Sequence, residues 1–553
     1  MEGFGIESAL DQWNAMRSQL SNAIQSYISA CKTLEIACVR DHRTRAGTMA
    51  EQAFIQLGTQ LESLAAEEHT LSTARLSLSA LRNRSKTLVP INILPPETLT
   101  QIFMLSVSNC REHYRSFPYA FANTCVYWRQ LVLDTPYFWT HVDIGPDIPG
   151  QLSQLMLERA KTNPLHFHMY DNKTFRHGSP TWDNVGWEDP NWEDLDSVGL
   201  YYEDPLVQLF GNFAHRVHTL ELSSNDLAGF FAYVTKVWLD RGDKDLAKSL
   251  SISIRENVLL DDSQEDVTRI NTSERGRALL LSLKTLRLYR TRFNWDSNAY
   301  YGLVDLQLGF KTMDRVASIS SLELVRILTA SPKLAVLRLN GLEVTRTENI
   351  PQAIPVPLNH LQVLNLIDMS AVSLGRLLPL VALPRPSSAE LRVGLEVSTG
   401  LEKELKDFFS RSSITTLYCL SQSRGYDAWS SVLAPLDSLR TLILDMNHLD
   451  LQDEAPLLQH GTTSQVAAGS RPLSLALRHC RPLFSDLSDL IINLGVHELR
   501  VEEPPSTEEY WQQMEETLLS VHPNLQYIAK KNFAIDNPHW DISSDHWRWH
   551  TPR

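Results

Sequence analysis

The chain has 553 residues, of which 43% are apolar and 21% are charged. This composition is typical of a folded protein with roughly two to four domains. The 51 basic and 65 acidic residues give a net charge of −14, which is the wrong sign for a protein that neutralises phosphates, so we expect no nucleic-acid partner.

Motifs that would indicate a metal, a cofactor, secretion or a membrane span are not found in the sequence. The six cysteines lack the spacing of a zinc site or a disulfide scaffold, and we find no Gly-rich phosphate loop or nucleophile elbow. The first residues show no signal-peptide pattern, and no stretch approaches about 18 uninterrupted apolar residues. We therefore expect a non-catalytic intracellular protein of the cytoplasm or nucleus, without a cofactor, a metal or a membrane partner.

Residues 1–88 predict a helical hairpin or coiled coil. Apolar residues recur at steps of three and four in two runs separated by a polar connector around Gly47, as in the seam of a long helix. The first run comprises Ile6, Leu10, Trp13, Met16, Leu20, Ile24, Tyr27, Cys31, Leu34 and Cys38, and the second comprises Phe54, Leu57, Leu61, Leu64, Leu71 and Leu78. Packing of the two helices on each other and dimerisation with a second chain both remain open.

Residues 89–145 predict a small all-α module. Leu94, Pro95 and Pro96 form an extended entry, and a helix should begin there because proline fits the first helical turn. Leu99, Ile102 and Phe103 then form a short apolar stripe, with Ile93 and Leu105 adding apolar surface beside it. A second helical pattern, around Ala122, Cys125, Val126 and Trp128, ends at Asp134-Thr135-Pro136.

The order of these residues resembles an F-box, and with Trp139 and the following Leu155 to Leu165 it is similar to F-box proteins abundant in mushroom-forming fungi. That resemblance implies docking on a Skp-type adaptor of a cullin-RING ubiquitin ligase. The implied adaptor-binding residues are Leu94, Pro95, Pro96, Leu99, Ile102, Phe103, Cys125 and Trp128. Leu94, Pro95 and Phe103 are the stronger candidates for direct contact, whereas Cys125 and Trp128 are expected in the core of the module.

Residues 146–210 predict a connecting segment. A helix from Gln151 leads into the alternating strand pattern Pro164–Tyr170, in which His166 and His168 share a face. The acidic loop that follows holds eight carboxylates between Asp183 and Asp204, together with Trp182, Trp187 and Trp192. A mobile loop and a docking segment for a basic partner are the two interpretations of it.

Residues 211–553 predict an irregular leucine-rich-repeat solenoid, or horseshoe, with a C-terminal cap. Val217–Leu227 and Leu439–Leu449 match the pattern LxxLxLxxNxL, apart from Val217 at its first site. Further copies keep the leucine spacing near Leu250, Leu286, Leu306, Leu337, Leu364, Leu391, Leu417, Leu475, Leu499 and Leu525. The fold class is thus α/β, with helices between strands whose leucines are buried against neighbouring repeats.

Residues between the leucines should face the open side of such a stack, where a partner protein binds. The candidates are Glu221, Arg287, Tyr289, Arg338 and Asn365. The expected function is a substrate-receptor subunit of a Skp/cullin/F-box ubiquitin ligase, whose solenoid recruits an unknown target. The alternative is a solenoid scaffold that does not bind the adaptor, supported by the polar Ser108–Arg115, where the family usually has leucines. An enzyme with a site in the acidic loop or in the tail is a further alternative.

Overall fold

The computed structural model describes residues 5–43, 47–83, 88–108, 117–145, 150–171, 205–224, 228–259, 273–310, 318–346, 355–367, 369–383, 392–397, 401–421, 438–445, 473–478, 484–502 and 508–530. Three predicted features lie outside these residues: nearly all of the polar Ser108–Arg115 stretch, the acidic tryptophan-rich loop before residue 205, and the C-terminal tail beyond residue 530. The chain divides into two compact units. One comprises Met1–Asn109 with Tyr119–Leu131, and the other comprises Cys110–Pro118 with Val132–Arg553.

Two long helices open the first unit, α1 (Ile6–Arg43) and α2 (Gly47–Asn83). They match the predicted pair of helices. Every side chain of α1 that the structure describes is exposed, and Leu61 and Leu71 of α2 are 63% and 45% exposed. Because these side chains are exposed, α2 does not bury the predicted apolar seam of α1.

The small helical module follows, with a 3-10 turn (Pro90–Ile93), α3 (Pro96–Ser108), α4 (Phe117–Thr124) and α5 (Val126–Asp134). Helix α3 begins at Pro96, as predicted. The second predicted helix is in fact two helices that meet at Cys125. The break is stabilised by Cys125 Sγ, which accepts a hydrogen bond from Trp128 N at 3.4 Å and so satisfies one of the free N–H groups of the first turn of α5.

The second unit is mixed α/β and is built on one sheet of fourteen parallel strands. The strands of the described chain are β1 (His141–Ile144), β2 (Leu165–Asp171), β3 (Val217–Ser224), β4 (Ser249–Leu259), β5 (Thr285–Arg292), β6 (Asp305–Gly309), β7 (Ser318–Ser320), β8 (Val336–Asn340), β9 (Glu343–Thr345), β10 (Val356–Pro357), β11 (Val363–Leu366), β12 (Val381–Ala382), β13 (Arg392–Val397), β14 (Thr416–Ser421), β15 (Thr441–Asp445), β16 (Leu473–Arg478), β17 (Val496–Glu502) and β18 (Gln526–Lys530). Each strand of the main sheet lies beside the next main-sheet strand along the chain. The other four strands form two separate ribbons, in which β7 pairs with β9 and β10 pairs with β12. Each predicted leucine copy lies in a strand or directly before one, as Leu525 does before β18, whereas β1 was not predicted.

Helices connect many of the strands. They are α6 (Gly150–Arg159), α7 (Pro205–Phe213), α8 (Ala228–Arg241), α9 (Glu274–Ser282), α10 (Ser321–Ala330), α11 (Ala371–Leu377), α12 (Glu402–Ser410), α13 (Phe484–Leu494) and α14 (Glu508–Val521). Helix α10 shows why such a helix begins where it does, because Ser320 and Glu323 form a reciprocal capping box. On the first strands of the sheet, Phe167 of β2 packs edge-on against Phe210 of α7, with ring centroids 5.2 Å apart.

One face of the sheet is a continuous row of apolar side chains in register. Successive residues of a strand point to alternate faces, so leucines spaced by two lie on the same face. Leu286, Leu306, Leu337 and Leu364 are neighbours in this row, and each is 1% exposed or less. The buried core of the second unit therefore follows directly from the leucine spacing of the sequence.

Candidate functional site

The helical module has a core of three aromatic rings. Phe103 of α3 stacks on Phe121 of α4, with ring centroids 4.2 Å apart, and lies 4.7 Å from the ring of Trp128. Trp128 Nε1 donates to Asn92 Oδ1 at 3.0 Å, which ties α5 to the turn before α3. Leu99, one turn before Phe103, is fully buried. The inner side of α3 thus holds the module together.

The outer side of α3 is apolar and exposed. Ile102 and Leu105, three residues apart on the same side of the helix, are 37% and 65% exposed. Ile93 before the helix is 59% exposed, and Pro95 and Pro96 are exposed as well. We name Ile93, Pro95, Pro96, Ile102 and Leu105 the α3 surface. Exposed apolar groups gathered in one short segment are a common feature of protein-docking sites.

The predicted adaptor-binding residues divide between this surface and the core. Pro95, Pro96 and Ile102 lie on the α3 surface, and Leu94 is half-buried beside it. Leu99 and Phe103 are buried, so the expectation that Phe103 is a direct contact is not met in the free chain: its side chain is only 2% exposed because it stacks in the core. Cys125 and Trp128 are half-buried. Ile93 and Leu105 are not among the predicted contacts, although both are apolar residues beside the predicted stripe.

The predicted target-binding residues lie together on the face of the sheet opposite the leucines. One row of residues in register contains Glu221, Arg287, Arg338 and Asn365. Tyr289 lies two residues further along β5 than Arg287. We name the row the Arg287 row; its members, from β1 to β18, are Asp143, His168, Glu221, Ser251, Arg287, Gln307, Arg338, Asn365, Gly394, Tyr418, Ile443, Ala476, Arg500 and Ile528.

An ion pair neutralises the centre of this row. Arg287 Nη2 lies 2.7 Å from Asp305 Oδ2, and the Nε of the same guanidinium also donates to that oxygen, at 3.2 Å. Gln307 Nε2 donates to Asp305 Oδ1 at 2.9 Å. The side chain of Arg287 remains 23% exposed. A partner therefore meets a fixed, hydrogen-bonded cation on this face rather than an isolated charge.

From β11 to β15 the same face is closed by an apolar cluster. Ile367, Tyr418 and Ile443 form a cluster and are 2–6% exposed, with Ala476 packed against them. The Tyr418 hydroxyl donates to Asp445, which is itself buried. Asn365 is 5% exposed, and its Oδ1 accepts from Ile367 N at 3.1 Å. The expectation that Asn365 is available to a target is therefore not met, because its side chain is buried and bonded to the backbone of the turn after β11.

At the other end of the sheet, polar groups link the first three strands. His168 Nδ1 of β2 lies 2.9 Å from Asp143 Oδ1 of β1, and His168 Nε2 lies 3.5 Å from Ser223 Oγ of β3. An aspartate, a histidine and a serine linked in this order form the triad that activates a serine in acyl transfer. The 3.5 Å separation exceeds the roughly 2.6–3.2 Å of an activated pair, so we interpret the chain of contacts as a cross-strand link.

Three histidines lie beside this link, at the start of the same strands. The rings of His141 and His166 stack with centroids 4.5 Å apart, and His218 lies 5.4 Å from His166. Burial, followed by the neighbouring His141 and His218, lowers the pKa of His166 to about 3. Burial also lowers the pKa of His141, against the opposing effect of Asp143, and the pKa of His218, where Lys248 acts in the same direction.

These shifts predict a loss of stability in acid. An unfolded His166 takes up a proton near its ordinary pKa of 6.5, whereas the folded residue stays neutral down to about pH 3. Its contribution to stability is therefore fully present above pH 6.5 and falls as the pH falls towards 3. For His166 alone the loss at pH 5 is about 2 kcal/mol. The urea midpoint of the normal chain should fall between about pH 7.5 and pH 5, and the fall should be smaller in a His166→Gln variant. An equal fall in the two proteins would contradict the assignment.

The described residues contain no group of His, Cys, Asp or Glu side chains placed to bind a metal ion. No helix in the same part of the chain combines the length and the hydropathy that a membrane span requires. Comparison with profiles of known protein families gives no match, and comparison with curated proteins gives no similar protein.

Proposed function

We propose that this chain is a substrate-receptor subunit of a Skp/cullin/F-box-type ubiquitin ligase. The observation that carries the proposal is the two-sided helix α3, whose inner residues close an aromatic core while Ile102 and Leu105 stay exposed. A fully exposed apolar side chain gains about 1.5–3 kcal/mol when a partner buries it. Ile102 and Leu105 are 37% and 65% exposed, so their burial together contributes about as much as one such side chain and can anchor a docking helix. The resemblance of this module to an F-box is the reason to propose a Skp-type adaptor as the partner.

The second unit supports the target-recruiting half of the proposal. Parallel strands that follow each other in chain order, with leucines in register, are the arrangement expected of a leucine-rich-repeat solenoid. From β2 to β8 the Arg287 row alternates between half-buried side chains (His168, Glu221, Arg287, Arg338) and two buried ones, Ser251 and Gln307, and an apolar cluster closes the row at β14 and β15. We therefore place the target site on β2–β8, around Glu221, Arg287, Tyr289 and Arg338. Ubiquitin transfer itself would be carried out by the cullin-RING partner, which this chain would bring close to the target.

Co-expression with a Skp-type adaptor from a mushroom-forming fungus tests the proposal. The normal chain should capture the adaptor, and an Ile102→Asp, Leu105→Asp double variant should bind about 10- to 100-fold more weakly, since about 1.5–3 kcal/mol of apolar burial is lost. Capture and affinity are measured on purified chains.

The matched control is a Leu281→Asp, Leu322→Asp variant, which changes two leucines that are 47% and 57% exposed on helices of the other unit. It should capture the adaptor normally. Failure of the normal, folded chain to capture the adaptor would favour the scaffold alternative.

A further inference from the structure

The first helix carries an apolar stripe that no other described part of the chain covers. Trp13, Leu20 and Ile24 of α1 are 40–43% exposed, and Leu10 and Tyr27 are 55% and 50% exposed. Leu64 and Leu78 of α2 remain 38% and 44% exposed as well. An uncovered stripe along a whole helix implies a partner of similar length.

The stripe follows a strict heptad, with one polar exception. Spacings of three and four residues alternate from Ile6 to Cys38, so that the seam consists of Ile6, Leu10, Trp13, Arg17, Leu20, Ile24, Tyr27, Cys31, Leu34 and Cys38. The column beside the seam, one residue before every second seam residue, is Ala9, Met16, Ala23, Ala30 and Ala37. The alanines in that column let a second helix approach closely on one side.

We infer that α1 pairs antiparallel with α1 of a second copy of this chain. A second copy has a helix of matching length and an identical stripe. The stripe runs from Ile6 to Cys38 within the 38-residue helix α1, so it is about 50 Å long and about 10 Å wide. Two such stripes bury about 1,000 Å² together, which is about the size that a specific interface needs.

Arg17 decides the direction of the pair. In a parallel, in-register pair the two Arg17 side chains would face each other within the seam, and like charges there are unfavourable. In an antiparallel pair centred on residue 22, Arg17 lies opposite Tyr27 of the other copy, where a guanidinium and an aromatic ring attract each other. The same alignment places each remaining seam residue opposite another, as Ile6 with Cys38, Leu10 with Leu34, Trp13 with Cys31, and Leu20 with Ile24.

The antiparallel alignment also sets the flanking columns. Each residue of the alanine column comes closest to a residue of the same column in the other copy, about 3 Å along the axis from exact alignment: Ala9 to Ala37, Met16 to Ala30, and Ala23 to its own counterpart. On the other side, Glu7 lies near Glu35 of the second copy, which is an unfavourable pair at the solvent-exposed rim. This rim repulsion is screened by water and salt, whereas two arginines inside the seam would not be.

Light scattering on the full chain tests the pairing. The expected mass is twice the 62.8 kDa of one chain. A Leu20→Asp, Ile24→Asp variant should return to the mass of one chain. A Ser18→Asp, Gln25→Asp variant, changed on the outer side of α1, should stay a dimer. A normal chain with the mass of one chain, or a seam variant that remains a dimer, would overturn the inference.

Oxidative crosslinking tests the direction. In an Ala23→Cys chain the antiparallel pair should give a disulfide between the two substituted positions, identified by mass spectrometry of the peptides. A parallel pair would instead join the two native Cys31 residues, which are exposed and would face each other in the seam. Recovery of the Cys31 crosslink alone would contradict the antiparallel pair. Adaptor capture by the seam variant should be normal, so this test is independent of the proposed function.

Discussion

Replacing Leu337 with Ala is expected to lower the free energy of unfolding of the sheet by about 2–5 kcal/mol, because buried leucines of the two neighbouring strands enclose its side chain. Leu337 is fully buried, and its neighbours in register, Leu306 and Leu364, are 1% and 0% exposed. The lost methyl groups leave a cavity that flanking strands cannot fill without shifting the whole row. Urea unfolding followed by circular dichroism measures the change.

The control for this prediction is Val336→Ala, one residue earlier on the same strand. Val336 lies on the opposite face and is half-buried, so its truncation should cost clearly less than that of Leu337. Equal costs for the two variants would mean that the leucine row is not the core of the unit.

The second large effect is expected at Phe103. Its replacement by Ala removes the ring that contacts both Phe121 and Trp128, and truncation of a buried phenylalanine costs about 3–5 kcal/mol. A module of about 45 residues has little stability in reserve. Amide hydrogen exchange should therefore rise throughout α3 and α5, and adaptor capture should be lost even though Phe103 is buried.

Leu105→Ala is the matched control, since Leu105 is 65% exposed on the other side of α3. It should leave hydrogen exchange in the module unchanged and weaken adaptor capture only through lost contact. Increased exchange in Leu105→Ala, or none in Phe103→Ala, would contradict the division of α3 into a core side and a docking side.

Local patterns explain why the strands could be predicted. Leu286 and Leu288, like Leu337 and Leu339, alternate with polar residues, and this alternation needs only one strand to be recognised. Strand β1 lacks that signal because it has only four residues, His141–Ile144, directly after the 3-10 turn Pro136–Trp139. It is a strand because β2 pairs with it, which is a contact between segments far apart in sequence.

The candidate sites could also be predicted only where local patterns were sufficient, because the rest depends on contacts between distant segments. Helical spacing places Leu99, Ile102 and Phe103 on one stripe, but only the packing of α4 and α5 decides that Phe103 is buried and Ile102 is exposed. On the sheet, alternation correctly places Arg287 and Asn365 on one face. Whether each residue is accessible depends on long-range packing, which leaves Arg287 partly exposed and closes the face at Asn365 and Tyr418.

Hydrogen–deuterium exchange of the full chain with and without a Skp-type adaptor tests the central claim most directly, because it locates the docking surface. The proposal predicts slower exchange within residues 90–108 and 117–131, with no change in the strands around Arg287. Protection confined to the strands of the sheet, or no protection at saturating adaptor, would contradict it.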